Sequence, residues 1–264
     1  MPIGPARMPL MDHLGELRRR LTIVIVSIII ATVFMYFATP VLVDILKDPI
    51  MPFLPKGTDL YIMSSLGGFA IKFGLAVKVA AVMCTPMIVW QILGFFLPAL
   101  KPNERKWVVP TVLIATALFF AGAIFCYFFI VPAAFEWMIN ETSTIAAALP
   151  DLENYLNIEM LLMIGFGVAF ELPLIVFYLA VFHIVPYASF RAAWRYIYVI
   201  MLVVSASITP DASPVTLMFM YAVMLSLYEV ALFITRFVVL ARDGKEGLTT
   251  SRLGLFFDDE DDEE

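Results

Sequence analysis

Met11-Asp-His-Leu-Gly-Glu-Leu-Arg-Arg-Arg-Leu21 runs straight into an uncharged stretch of 23 residues, Leu21 to Val43. A helix needs about 20 apolar residues to cross a bilayer, so 21–43 reads as a membrane span. Leu10, Leu14, Leu17 and Leu21 recur at helical spacing and form one apolar stripe, with Glu16, Arg18, Arg19 and Arg20 off it. The segment therefore reads as a short amphipathic helix at the membrane surface that continues into the span. Three arginines beside a first span stay cytoplasmic and orient everything that follows. Glu16 then sits at the cytoplasmic mouth, where a carboxylate can meet a cationic partner.

Composition supports a lipid solvent for most of the chain. It is 62% hydrophobic with a mean hydropathy of +0.92, whereas soluble domains are roughly half apolar. Cys84 and Cys126 lie in apolar runs with neither zinc spacing nor a redox partner, and read as small packing residues. His13 and His183 are far apart, so no metal or other cofactor is expected. There is no Walker loop, dinucleotide fingerprint or nucleophile elbow, which argues against ATP hydrolysis and covalent catalysis, and nothing points to nucleic acid. The first apolar run is too long for a cleavable signal and no small-residue cleavage site follows it. Net charge is −6, but the last seven residues, Asp258 to Glu264, are all acidic. They place a solvated, disordered tail within 241–264.

Uncharged runs predict a single all-α membrane domain over 1–240 with six spans, at about 21–43, 79–100, 107–135, 160–185, 196–210 and 212–235. The stretch 44–68 is rich in Pro and Gly and reads as a loop that holds at most a short helix. Lys72 and Lys78 precede the second span and can snorkel to the interface. Pro86 should kink that span and Pro98 should end it. Residues 136–159 read as a wholly acidic connection carrying Glu136, Glu141, Asp151, Glu153 and Glu159. The fourth span then holds one charge, Glu171. Spans five and six look short, with uncharged runs of 15 and 17 residues. Fifteen residues rise only about 22 Å against a hydrocarbon core of about 30 Å, so the pair should thin the bilayer or end below its outer surface. Neighbouring helices shielding polar ends would serve equally. Ser213-Pro214 has the form of a helix start, serine as N-cap and proline at the first helical position. Lys and Arg concentrate in the N-terminal segment, in 101–106, in 191–195 and after 235, which puts both termini in the cytoplasm.

Glu16 and Glu104 then share the cytoplasmic face. A pair of carboxylates there can receive two guanidinium groups, whose planar forks match carboxylate oxygens. The simpler readings are an i,i+4 pair of Glu16 with Arg20 and a first-turn helix acid at Glu104. Arg18 and Arg105 are better suited to hold the carboxylates or lipid phosphates than to meet a cation. Glu171 lies 12 residues past Glu159, about 18 Å into the membrane if helical. A carboxyl at that depth should face a bundle interior or a watery hollow. Pro173 frees the Ala169 carbonyl beside it. A protonated acid bonded to a neighbouring helix is the structural alternative.

Several stretches resemble one family. His13-Leu-Gly-Glu-Leu-Arg18 is similar to the His-Leu-x-Glu-Leu-Arg signature of TatC, the multispanning receptor of the twin-arginine protein translocase. Asp48-Pro49 resembles the family's first-loop proline. Gly94-Phe95-Phe96-Leu97-Pro98-Ala99-Leu100 with Asn103-Glu104-Arg105 resembles its aromatic-Pro-Ala-Leu…Glu-Arg loop. Phe166-Gly167-Val168-Ala169-Phe170-Glu171-Leu172-Pro173 resembles its Phe-Gly-x-x-Phe-Glu-x-Pro stretch, and Thr209-Pro210-Asp211 its Thr-Pro-Pro-Asp turn, with one proline fewer. Val215 stands where many members carry glutamine. The resemblance implies a receptor in the bacterial cytoplasmic membrane that binds twin-arginine signal peptides of folded cargo. Glu16, Glu104 and Phe95 would contact the peptide, and Leu17, Arg18, Arg105 and Pro49 would support them. Glu171, Thr209 and Asp211 would be the polar contacts for partners within the membrane. It further implies an oligomeric complex with TatA- and TatB-type single-span proteins in contact with lipid, driven by the proton-motive force. The residues alone leave two other readings: a proton-coupled small-molecule transporter using Glu171, and a scaffold recruiting a basic partner through the acidic tail. A transporter would want several intramembrane titratable groups and an internal repeat, where we read one such group and no repeat.

Overall fold

The computed structural model describes residues 10–54, 60–96, 108–145, 150–181, 185–209 and 213–244. The described residues form helices joined by short turns, with one isolated bridge between Tyr61 and Asp151 and no strand. The helices are α1 (Leu10–Lys47), α2 (Gly67–Met83), α3 (Thr85–Phe96), α4 (Val108–Phe125), α5 (Val131–Ser143) and α6 (Leu152–Ala169). They continue with α7 (Leu172–Val181), α8 (Tyr187–Ala192), α9 (Trp194–Ile208) and α10 (Pro214–Asp243). Four helical segments are long and apolar enough to cross a membrane: 14–47, 108–143, 152–181 and 214–241. The pair α2–α3 meets the same test together, bent by 53°. The 15-residue α9 is apolar but shorter.

The chain divides into two compact units, residues 1–167 and 168–264. In the first, α1 packs along α2 and touches α3, and α3 packs on α4. The amphipathic segment and the first span are one continuous helix, and Leu14, Leu17 and Leu21 are exposed along it, as lipid-facing leucines are. The helix runs past Val43 to Lys47, where Lys47 pairs with Asp44 at 3.1 Å. Asp48, Pro49 and Ile50 then turn the chain, with the Ile50 amide donating to the Lys47 carbonyl at 3.2 Å and Ile50 itself buried. A three-residue 3₁₀ turn, Met51–Phe53, is the short helix of the loop.

The second span begins earlier than expected. α2 starts at Gly67, so Lys72 and Lys78 lie inside the helix rather than before it. Lysine does not break a helix, and Lys78 donates its ammonium to Asn157 Oδ1. The bend falls at Cys84, just before Pro86, whose ring cannot follow an unbroken turn. α3 stops at Phe96, ahead of Pro98.

The third span is longer than 107–135. Its helix continues to Ser143 and carries Glu136 and Glu141 on its last turns. It also holds a π-turn, Cys126–Ile130, immediately before Pro132. Proline lacks an amide and would clash with the carbonyl four residues back, and widening the turn resolves both. The acidic connection is accordingly shorter than 136–159. Asp151 starts α6, accepting from the Asn154 amide at 3.3 Å, and the Tyr61 carbonyl accepts from the Leu152 amide at 2.8 Å. Glu159 is therefore not in a solvent loop. It lies in α6 and is fully buried. Gly167 lets the Phe119 ring lie directly against its backbone, since a Cβ there would approach ring carbons at 2.7–2.9 Å.

In the second unit α7, α8 and α9 each pack on α10. α9 has 15 residues, the length of the fifth uncharged run, but the sixth run extends into a longer helix. α10 has 30 residues, so it rises about 45 Å and is not short. Glu229 and Arg236 sit inside it and do not end it. Ser213 caps it as expected, its Oγ accepting from the Thr216 amide at 3.3 Å, with Pro214 in the first turn. Gly244 closes it at φ 68°, a left-handed residue that only glycine adopts without strain.

Candidate functional site

The expected signal-peptide residues fall on the first turns of α1 and the end of α3. Glu16 is partly exposed and already holds a guanidinium. Arg20 Nε donates to Glu16 Oε1 at 3.0 Å and Arg20 Nη2 donates to the same oxygen at 2.6 Å. Helical periodicity produces this, because residues four apart stand one above the other. The third arm of the fork reaches α3: Arg20 Nη1 donates to Gln91 Oε1 at 3.2 Å and to the Gln91 carbonyl at 3.5 Å. Gly94, one turn on, leaves the room for it, since a Cβ at 94 would collide with the guanidinium.

The holder of Glu16 is thus Arg20 rather than Arg18. Arg18 and Arg19 are exposed, and so is Leu17. Phe95 is partly buried in the last turn of α3. Pro49 is partly buried in the turn after α1. Glu104, Arg105 and Asp211 lie outside the described residues.

Glu171 belongs to the second unit. The helix breaks at Phe170–Glu171, and α7 restarts at Leu172 with Pro173 in its first turn. The Glu171 amide donates to the Val168 carbonyl at 3.1 Å, and the side-chain Oε1 is enclosed with no donor among the described residues. Because α6 starts at Leu152, Glu171 lies in the second half of the apolar segment 152–181. Thr209 caps α9 and its Oγ1 donates to the Ser205 carbonyl at 3.0 Å, a local bond that explains the residue without a partner.

Three features were not read from the sequence as sites. One is the Gln91 anchor for Arg20, which joins residues 71 apart and has no local signal. Another is Glu159, whose two carboxyl oxygens are buried without a well-formed hydrogen bond among the described residues. The last is a cluster at Glu229, which accepts from Arg191 Nη1 at 3.1 Å and from the Tyr198 hydroxyl at 2.8 Å. The Tyr187 hydroxyl, and then the charge of Glu229, shift the Arg191 guanidinium above its ordinary value. Among the described residues no group of three or more His, Cys, Asp or Glu could hold a metal.

Residues 12–223 match the family model described as Sec-independent protein translocase protein (TatC). The chain belongs to the TatC family. The Sec-independent protein translocase protein TatC of Deinococcus radiodurans is 31% identical over 245 residues, covering 91% of each chain. That of Aquifex aeolicus is 31% identical over 229 residues, covering 86% of this chain and 94% of its own. A crystal structure of the twin arginine translocase receptor TatC superposes with a TM-score of 0.75 at 29% identity, over 85% of this chain and 98% of that one. The matched range contains Glu16, Glu104, Glu171 and Asp211. Membership and the apolar helices together make the chain a multi-pass protein of the cytoplasmic membrane and a protein translocase component. They do not favour the small-molecule transporter reading.

Proposed function

We propose that this TatC-family chain is the receptor of the twin-arginine translocase, binding twin-arginine signal peptides at the cytoplasmic face without covalent catalysis. The observation that carries this is Glu16, a carboxylate at the head of α1 whose surroundings already fit a forked guanidinium. Glu16 takes one signal arginine and Glu104 the other. Phe95 packs against the peptide, and Leu17, Arg18, Arg105 and Pro49 support the surface. Six spans over residues 1–240 place both termini inside, with 241–264 as a cytoplasmic tail. The count takes the four long segments, the bent α2–α3 pair and α9 as one span each. TatA- and TatB-type subunits dock along the fifth span, and transport draws on the proton-motive force. Glu171, Thr209 and Asp211 serve partner or signal-peptide contacts on a concave face. An enclosed Glu171 oxygen at a proline-broken helix supports that role.

The test is binding of a labelled twin-arginine signal peptide to the full chain in nanodiscs, against a twin-lysine version. Glu16→Gln and Glu104→Gln should each weaken the twin-arginine peptide about tenfold or more, since a charge-assisted bond contributes about 1.5–3 kcal/mol when well formed. Unchanged binding in the double variant would overturn the reading.

A further inference from the structure

Resting on the assignment of Glu16 as a receptor for a signal arginine, we propose that Arg20 is a built-in occupant of that carboxylate. An incoming arginine displaces it, and no weaker cation can. Arg20 and Glu16 side chains are 22% and 23% exposed, so the pair is reachable yet sheltered. Of three successive arginines, Arg18 and Arg19 point to the surroundings and only Arg20 is folded in.

An ordinary i,i+4 pair would need nothing more. Here the guanidinium has a second seat, on the Gln91 side chain and carbonyl of α3. Gly94 supplies the space beneath it. Both donors from Arg20 converge on Glu16 Oε1, so Oε2 receives no hydrogen bond from the described residues. Glu16 is still partly exposed, so a second guanidinium can approach its carboxylate while Arg20 holds Oε1. Arg20 then slides onto Gln91, and Glu16 exchanges one fork for another. At no stage does Glu16 lose a guanidinium partner. A lysine ammonium is a point donor without the planar fork and does not replace both bonds at once. The contact is thus a threshold set by the protein itself.

The predicted consequence is opposite to that of removing a binding residue. Arg20→Gln should tighten the twin-arginine peptide about three- to tenfold, the strength of one sheltered pair with its extra hydrogen bond. Arg20→Lys keeps the charge that orients the first span but loses the fork, and should tighten binding by a smaller factor. The decisive arm is the Glu16→Gln background. If Arg20 competes for Glu16, adding Arg20→Gln to Glu16→Gln brings no further tightening. Equal tightening in both backgrounds would mean general charge repulsion and would overturn the proposal. So would weaker binding in Arg20→Gln or Arg20→Lys protein whose melting is unchanged, because Arg20 would then position Glu16. If Glu16→Gln alone leaves binding untouched, the receptor assignment fails instead, and the two failures are told apart.

Discussion

Replacing Glu159 by leucine should make the protein more stable. Glu159 is 0% exposed, and neither of its carboxyl oxygens has a well-formed hydrogen bond among the described residues. The neighbouring hydroxyls are committed elsewhere. Tyr155 donates to the Leu46 carbonyl at 2.7 Å and Tyr127 to the Ile45 carbonyl at 2.7 Å. Both bonds cap the last turn of α1, whose carbonyls have no partner within the helix. The Tyr155 hydroxyl also lies beside the Glu159 carboxyl, but its single proton serves the Leu46 carbonyl. A buried polar group without a hydrogen bond costs about 1–3 kcal/mol on mutational scales. Leucine of similar bulk removes that cost and keeps the packing. Each kcal/mol moves the midpoint of a chain this size by about 2–4 °C, so Glu159→Leu should melt about 2–12 °C higher. Glu159→Gln is the control: an amide is also left without partners and should stay near the parent. Thermal melting in a mild detergent, followed by tryptophan fluorescence, reads both. A Leu variant that melts lower than the parent would refute the reasoning, because the carboxyl would have to hold a compensating bond.

Three further outcomes follow from the packing and topology. Gly167→Ala should destabilise by about 1–2 kcal/mol, because the added Cβ must push the buried Phe119 ring, partly offset by better helix propensity; a melt identical to the parent would mean the ring has room. Glu229→Ala should cost about 1–2 kcal/mol by releasing both Arg191 and Tyr198 from α10, discounted because the ion pair is 49% and 39% exposed; Glu229→Gln should lose less, since Tyr198 keeps an acceptor, and equal losses would assign the effect to the charge alone. A cysteine placed at Ser143 should react with an impermeant reagent from outside intact cells, and reaction only from the cytoplasm would reverse the proposed topology.

What the sequence made legible was whatever is decided locally. The uncharged runs located the apolar helices, Ser213-Pro214 located the start of α10, and Pro86 located the bend of α2–α3. The Glu16–Arg20 pair is written in a four-residue spacing. The differences arise where a charge reads as the edge of an apolar run. Lys78 and Glu159, read as outside the spans, lie within helices, and α10 runs on past Glu229, where the uncharged run of 17 residues ends. Charge position along the chain says nothing about which distant group faces it.

Those three residues separate two ways for a membrane helix to carry a charge. Lys78 and Glu229 reach polar partners from elements far along the chain: Asn157 for the lysine, and Arg191 with Tyr198 for the glutamate. Both side chains are also partly exposed, so neither bears a full burial cost. Glu159 has no exposure and no well-formed hydrogen bond among the described residues, and its likeness to the other two in sequence is therefore misleading. Glu16 is a further case, a carboxylate matched by its own helix through one oxygen and still partly exposed. A carboxylate that is satisfied completely is structural, and one with no partner at all is a burden on stability. A carboxylate held by a replaceable guanidinium can exchange it for another, and Glu16 at the head of α1 is held in that way.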